Sequence, residues 1–106
     1  MKLGIIIETK EPEKAWNGMR FAVTASKAGH EVKVFLMGEG VEIETLTHEN
    51  YDVAAQVNMF HQNKGIILAC GTCIKSRNLQ ESEMCPISTM IDCVDMVQWA
   101  DKTVTF

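Results

Sequence analysis

Two cysteines separated by two residues are the first feature of this sequence that could do chemistry. Cys70 and Cys73 enclose Gly71-Thr72 directly after an apolar segment, residues 65–69, that is typical of a buried strand. In parallel sheets, chemistry collects at the carboxyl ends of strands, where backbone N–H groups and a helix start stabilise a thiolate. Cys70 is therefore predicted to be a nucleophile, with Cys73 one helical turn further along the same face.

The same cysteine pair allows other interpretations. Dithiol oxidoreductases also place two cysteines at a helix start, where one thiolate attacks and the other resolves. The likeness to thioredoxin is limited to residues 70–73, and Pro86 lies too near for the usual partner loop. Alternatively, both thiols could fill space beneath a helix, because free cysteine is among the most buried residue types.

Glycines near the strand ends suggest a third interpretation, a non-catalytic module that binds a small ligand. Gly38 and Gly40 form a turn signal at the end of the second predicted strand. Gly71 and Thr72 lie in the cysteine turn itself. These four residues are the candidate ligand-binding positions. Under this interpretation Cys70→Ser leaves function intact, whereas sulfur chemistry requires its loss.

The other two cysteines lie in unlike surroundings. Cys85 precedes Pro86 in an irregular stretch, and the sequence does not decide between a packed residue and a third reactive thiol. Cys93 lies inside the last predicted helix, where core packing is the expected role. Because these two cysteines do not form a close pair and the histidines show no metal spacing, neither a zinc site nor any other cofactor is predicted.

Length and composition indicate one folded domain over residues 1–106. Hydrophobic residues make up 46% of the chain and charged residues 23%, which excludes disordered and low-complexity classes. The formal net charge of -4 has the wrong sign for a dedicated nucleic-acid binder or a polybasic membrane module.

The location expected from the sequence is the cytoplasm. No apolar run approaches the ~20 residues of a membrane span. The first apolar run reaches Glu8 before the core of a secretory signal is complete. In a reducing compartment, paired cysteines more often serve redox chemistry, sulfur chemistry or metal binding than structural crosslinks.

Strand and helix signals alternate along the chain, which predicts a three-layer α/β/α sandwich with a mainly parallel sheet of four to five strands. Gly29 and Asn78 are placed to end helices in left-handed geometry, and Thr89 with Asp92 has capping-box spacing. Strands are predicted at 3–7, 31–37, 65–69 and 102–106, with a weak one within 79–87. Helices are predicted at 12–27, over the region that includes 51–60 with an end near 63–65, at 71–77 and from 88 or 89 to 100.

Residues 65–78, GIILACGTCIKSRN, resemble the DsrE/DsrF-like superfamily, which includes YchN-like and TusD-like proteins. The likeness covers nearly the whole chain: the first apolar strand, residues 35–41, the turn into the cysteines, and residues 100–106. One departure is Asn78, where many relatives have Gly; Asn also enters left-handed cap geometry.

The resemblance implies a small domain that assembles as a homo-oligomer, a trimer or hexamer, and carries sulfur as a cysteine persulfide. The family's sulfur-accepting cysteine matches Cys70, and Cys73 matches a second cysteine found in some members. Cys73 could release the sulfur by forming a disulfide, or protect the site. The leading hypothesis is therefore a cytosolic sulfur-relay protein whose partners are sulfur donor and acceptor proteins, with no nucleic acid or membrane involved.

Overall fold

Strands and helices alternate through the computed structural model, which describes residues 1–106. The elements are β1 (Lys2–Ile7), α1 (Pro12–Lys27), β2 (Glu31–Leu36), a 3₁₀ helix (Gly38–Thr45), α2 (Val53–Gln62), β3 (Ile66–Cys70), α3 (Gly71–Ser76), β4 (Ile87–Ser88), α4 (Met90–Trp99) and β5 (Lys102–Thr105).

The five strands form one parallel sheet in the order β4-β3-β2-β1-β5. Ile5 of β1 is in register with Val34 of β2 and with Val104 of β5. At the other side of the sheet, Ser88 of β4 pairs with Cys70 of β3. Because all strands run in one direction, their carboxyl ends meet at one edge. The predicted α/β sandwich with a parallel sheet is thus confirmed.

The two faces of the sheet are covered unequally. On one face α1 and α2 pack together, and Gly18 of α1 lies against Ile7 of β1. On the opposite face Met96 and Ala100, at the end of α4, lie against Gly4 of β1. Successive strand residues alternate between faces, so odd-numbered β1 residues face α1 and even-numbered ones face α4. A single helix therefore covers the second face.

Fully buried apolar side chains from the strands and helices fill the core. The largest are Phe35, Phe60, Ile5, Ile7, Met19, Leu36, Ile43, Met96, Val34, Val53 and Val57.

Two of the predicted turns are present as expected, and a third has a different structure. Gly29 (φ +94°) and Asn78 (φ +54°) adopt the predicted left-handed conformation after α1 and α3. The expected short turn at Gly38, however, continues as a 3₁₀ helix to Thr45. It does so because Val41 and Ile43 bury their side chains and hold the segment against the core.

The outer surface of α4 is unusually apolar. Five neighbouring apolar side chains, here called the α4 apolar patch, are exposed to solvent: Ile87, Met90, Ile91, Val94 and Val97. Ile91 is 72% exposed and Val94 is 60% exposed. Cys93 and Met96 occupy the opposite, buried side of the same helix.

Candidate functional site

Cys70 lies where β3 ends and α3 begins. It is the last residue of the strand and the N-cap of the helix, as the apolar run followed by a turn signal predicted. Its neighbour in the sheet is Ser88 of β4. The side chain is only 5% exposed. The fold thus places a free thiol at the carboxyl edge of the sheet and shields it from bulk water.

A cavity of about 450 Å³ opens beside this thiol. Its walls come from the β3–α3 junction and from the β4–α4 junction. The lining residues are Cys70, Gly71, Thr72, Cys73, Lys75, Ile87, Ser88, Thr89 and Met90. The structure therefore brings together four of the residues that sequence analysis selected, Cys70, Gly71, Thr72 and Cys73.

Cys73 is held by a hydrogen bond from a distant part of the chain. The backbone N–H of Gly38 donates to Cys73 Sγ at an N···S distance of 3.2 Å. Gly38 adopts φ +55°, a left-handed conformation that favours glycine. The Cys73 side chain remains half-buried. The backbone donor therefore fixes the position of this sulfur at the cavity wall.

Gly38 and Gly40 do not line the cavity; Gly38 reaches the site only through its bond to Cys73. Gly40 packs against the end of β1, where a Cβ atom on it would come within 2.0 Å of the Ile7 carbonyl oxygen. Close backbone approach therefore explains the glycine at position 40.

The two basic residues of the α3 segment have different surroundings. Arg77 Nε lies 3.0 Å from a Glu42 carboxylate oxygen, and its guanidinium also donates to the Cys73 carbonyl at 3.2 Å. Lys10 lies 3.5 Å from the same carboxylate. Lys75 instead lines the cavity and has no carboxylate within salt-bridge distance. Of the two, Lys75 is the cation positioned to act on a ligand in the cavity.

Polar groups fix the start of α4 at the cavity wall. Asp92 accepts hydrogen bonds from the Ser88 hydroxyl at 2.5 Å and from the Thr89 N–H at 2.9 Å. The hydrogen bond from Ser88 is the main reason why the pKa of the Asp92 carboxyl lies below its usual value, and the bonds from Thr89 lower it further. The predicted capping box at Thr89 and Asp92 is present. It fixes the point at which α4 begins, beside the cavity.

Cys85 lies away from the cavity, in a small polar cluster. The Ser82 hydroxyl donates to Glu44 at 2.6 Å and accepts from the Cys85 N–H at 3.1 Å. The Cys85 side chain is 6% exposed. Burial, and secondly the hydrogen bond to Glu44, raise the pKa of the Cys85 thiol strongly. Cys85 is thus a packed, protonated thiol. The sequence alone did not decide between this role and that of a third reactive thiol.

Cys93 is buried on the sheet-facing side of α4, 4% exposed, consistent with the predicted packing. Burial is the main cause that raises the pKa of its thiol, and the charge of Cys70 is the second. Sequence analysis missed this relationship with Cys70. No local pattern in the sequence reveals it, because it depends on how α4 packs on the sheet.

No three side chains among the histidines, cysteines and carboxylates converge in a way that could hold a metal ion. None of the helices has both the length and the apolar character needed to cross a membrane.

Comparison with known proteins relates the chain to two archaeal relatives. An uncharacterized protein of Methanocaldococcus jannaschii is 31% identical over an alignment of 115 positions, which covers 100% of both chains. An uncharacterized protein of Methanopyrus kandleri is 33% identical over 100 residues, which cover 89% of this chain and 83% of its own.

Solved structures share the fold at lower identity. The YchN protein of E. coli superposes with a TM-score of 0.86 at 20% identity and covers 100% of both chains. A conserved protein of unknown function from Bacteroides thetaiotaomicron has a TM-score of 0.78 at 17% identity, covering 99% of this chain and 94% of its own. The model of the DsrE/DsrF-like family matches residues 1–106. The chain therefore belongs to the DsrE/DsrF-like family.

Proposed function

We propose that this protein carries sulfur as a persulfide on Cys70 and passes it to a partner protein. The DsrE/DsrF-like family is related in general to sulfur relay, which supports this class of chemistry. The observation that carries the proposal is the setting of Cys70. Its thiol is 5% exposed, yet it borders a cavity of about 450 Å³, so a second sulfur atom has room beside it and little contact with bulk water.

The transfer needs no oxidant. The Cys70 thiolate attacks the terminal sulfur of a donor protein's persulfide, a bond forms between the two sulfurs, and the donor cysteine leaves as a thiolate. In the second step an acceptor thiolate attacks the terminal sulfur on Cys70, and Cys70 leaves as a thiolate in turn. The sulfur donor and acceptor proteins are the partners of this cycle.

Three features of the cavity suit an anionic persulfide. Lys75 supplies a positive charge that no carboxylate neutralises. The Thr72 side chain adds a hydroxyl group to the wall, whereas the Thr89 hydroxyl already donates to Asp92. Cys73 borders the same space as a second thiol, held by Gly38, where it could accept the terminal sulfur or protect it.

We further propose that the working unit is a homo-oligomer in the cytoplasm, built from single-domain chains. The α4 apolar patch is the surface that a second copy would cover. Exposed apolar patches on soluble proteins mark interaction sites or cause aggregation. A second copy bound to the patch would bury these side chains and prevent aggregation through them. Ile87 and Met90 belong both to the patch and to the cavity wall, so a second copy there would also narrow access to Cys70. A trimer or hexamer would match the assemblies that the family resemblance implies.

The proposal is tested by loading the protein anaerobically with a cysteine desulfurase and cysteine, followed by intact-mass measurement. Wild type is expected to gain the mass of one sulfur atom, and a reductant is expected to remove it. Cys70→Ala is expected to gain none, whereas the control Cys85→Ala, which changes a buried thiol outside the cavity, loads like wild type. An adduct that persists in Cys70→Ala contradicts the assignment. A disulfide formed without any adduct in wild type favours the dithiol-redox alternative.

A further inference from the structure

We infer that Cys93, rather than Cys73, is the thiol that resolves a persulfide on Cys70, by forming a Cys70–Cys93 disulfide and releasing sulfide. The inference rests on the proposed persulfide chemistry of Cys70. It assigns a role to a buried thiol that the sequence offers only as core packing. It also separates the roles of the two cysteines of the 70–73 run, because the Cys73 sulfur already accepts a hydrogen bond from the Gly38 backbone.

The sheet register shows which face Cys70 occupies. Gly4 of β1 lies beneath Met96 and Ala100, so its position faces α4. Gly4 is in register with Lys33, and Lys33 with Ile66 of β3. Side chains alternate along a strand, so positions 66, 68 and 70 share one face. Cys70 therefore points to the α4 side of the sheet.

The path of α4 brings Cys93 over this part of the sheet. The helix begins at Met90, just after Ser88, the strand neighbour of Cys70. It ends with Met96 and Ala100 over β1. Cys93 precedes Met96 by three residues, on the same buried side of the helix. It must therefore lie between the β4 edge and β1, near the end of β3.

Burial and charge agree with this placement. Cys70 is 5% exposed and Cys93 is 4% exposed, so both thiols lie in the layer between α4 and the sheet. A negative charge on Cys70 is the second cause that raises the pKa of Cys93, after burial, which agrees with the two residues sharing this layer.

Cys73 has a hydrogen-bond partner of its own. Its sulfur accepts the Gly38 N–H from the 3₁₀ helix, which packs against α2 on the face opposite α4. Formation of a Cys70–Cys73 disulfide would require that hydrogen bond to break and the Cys73 side chain to rotate away. The one-turn spacing of the two cysteines along the chain therefore does not by itself make them partners.

The cavity geometry also suits attack by Cys93 on the inner sulfur of the persulfide. Cys70 and Cys73 line the cavity, and Cys93 does not. A terminal sulfur in the cavity is thus bonded to Cys70 Sγ, while Cys93 lies outside the cavity, in the layer beneath α4. Thiol–disulfide exchange proceeds by such attack of a thiolate on one sulfur with departure of the other.

The step balances. The Cys93 thiol loses its proton and its sulfur bonds to Cys70 Sγ, while the bond from Cys70 Sγ to the terminal sulfur breaks. The terminal sulfur takes the bonding electrons and leaves as hydrogen sulfide, and the two cysteines are oxidised to a disulfide. A thiol reductant then restores both thiols. The raised pKa of Cys93 favours its protonated form, which slows its attack and gives an acceptor time to take the terminal sulfur.

Peptide mapping tests the pairing without any need for persulfide loading. Cleavage at lysine and arginine places Cys70 and Cys73 in peptide 65–75, and Cys85 and Cys93 in peptide 78–102. After mild oxidation with diamide, the two peptides are expected to be joined by a disulfide. The link is expected to persist in Cys73→Ser and in Cys85→Ala, and to vanish in both Cys93→Ser and Cys93→Ala. A disulfide confined to peptide 65–75 in wild type overturns the inference.

A second measurement follows the fate of the loaded sulfur. In wild-type protein loaded with persulfide and left without an acceptor, sulfide is expected to appear as the disulfide forms. Cys93→Ala is expected to hold its persulfide several-fold longer, whereas Cys73→Ser releases sulfide as wild type does. Unchanged sulfide release from Cys93→Ala overturns the resolving role. If no variant loads sulfur at all, the persulfide function fails with the resolving role, and peptide mapping still decides which thiol pairs with Cys70.

Discussion

The backbone N–H of Gly38 donates to the sulfur of Cys73 at 3.2 Å, joining residues 35 positions apart in the sequence. The bond connects the end of β2 to α3, the helix that Cys70 begins. It holds the second cysteine of the site at the cavity wall. The local geometry of Gly38 therefore has consequences for the chemistry of both cysteines.

Replacing Gly38 tests this connection. Gly38→Ala is expected to lose about 1–2 kcal/mol of unfolding free energy, because a side chain is disfavoured at φ +55°. It is also expected to change the alkylation rate of Cys73 by weakening the hydrogen bond. Gly29→Ala is the matched control, since Gly29 has φ +94° and open space around it. Both variants should be less stable than wild type in urea denaturation. Only Gly38→Ala should alter the alkylation rate of Cys73. An equal change of that rate in Gly29→Ala would show that the Gly38 hydrogen bond is not its cause.

Gly40 is expected to be a stability residue and not a ligand contact. Gly40→Ala would place its Cβ 2.0 Å from the Ile7 carbonyl oxygen, so the end of β1 must shift. We expect a loss of at least about 3 kcal/mol of unfolding free energy, the range of buried steric conflicts. Urea denaturation measures the loss. A variant as stable as Gly29→Ala would show that Gly40 does not pack as described.

Cys85 is expected to make stability depend on pH. Its folded-state pKa is raised above the ordinary thiol value of about 8.5, so the native protein favours the protonated thiol. The stabilisation is complete below that ordinary value and is lost as pH rises above it. Between pH 7 and pH ~10, wild type should therefore lose more stability than Cys85→Ala. The free energy of unfolding of both proteins is measured by urea denaturation at the two pH values. Equal losses in wild type and in Cys85→Ala would contradict a buried, protonated thiol at position 85.

The α4 apolar patch is expected to control assembly. Val94→Lys places a charge in the centre of the patch and should shift the protein to monomers in light-scattering measurements. Ala54→Lys is the control, because Ala54 is exposed on α2, outside the patch. Both substitutions leave the core intact. Oligomers that persist in Val94→Lys, or monomers in wild type, would exclude this surface as the interface.

Sequence reasoning succeeded where the signals are local. The apolar run before Cys70 marks a buried strand, and the turn residues after it fix where the strand stops. Gly29 and Asn78 end their helices because few residues tolerate a positive φ. Such choices depend on a few neighbouring residues, which the sequence displays directly.

The rest depends on contacts between distant segments. Nothing near Cys73 in the sequence indicates that Gly38 donates to its sulfur. The sequence marks Gly40 only as a turn residue, and its close approach to the Ile7 carbonyl is visible only in the packed structure. Helical spacing also does not say which apolar side of α4 faces the sheet, so the proximity of Cys93 to Cys70 could only come from the packed structure.

The most direct test of the central claim locates the transferred sulfur on a single cysteine. Protein loaded anaerobically is alkylated without reduction and cleaved, and peptide 65–75 is fragmented to separate Cys70 from Cys73. The account predicts that the additional sulfur is attached to Cys70. Sulfur found on Cys73 in freshly loaded protein, or on peptide 78–102, would contradict it.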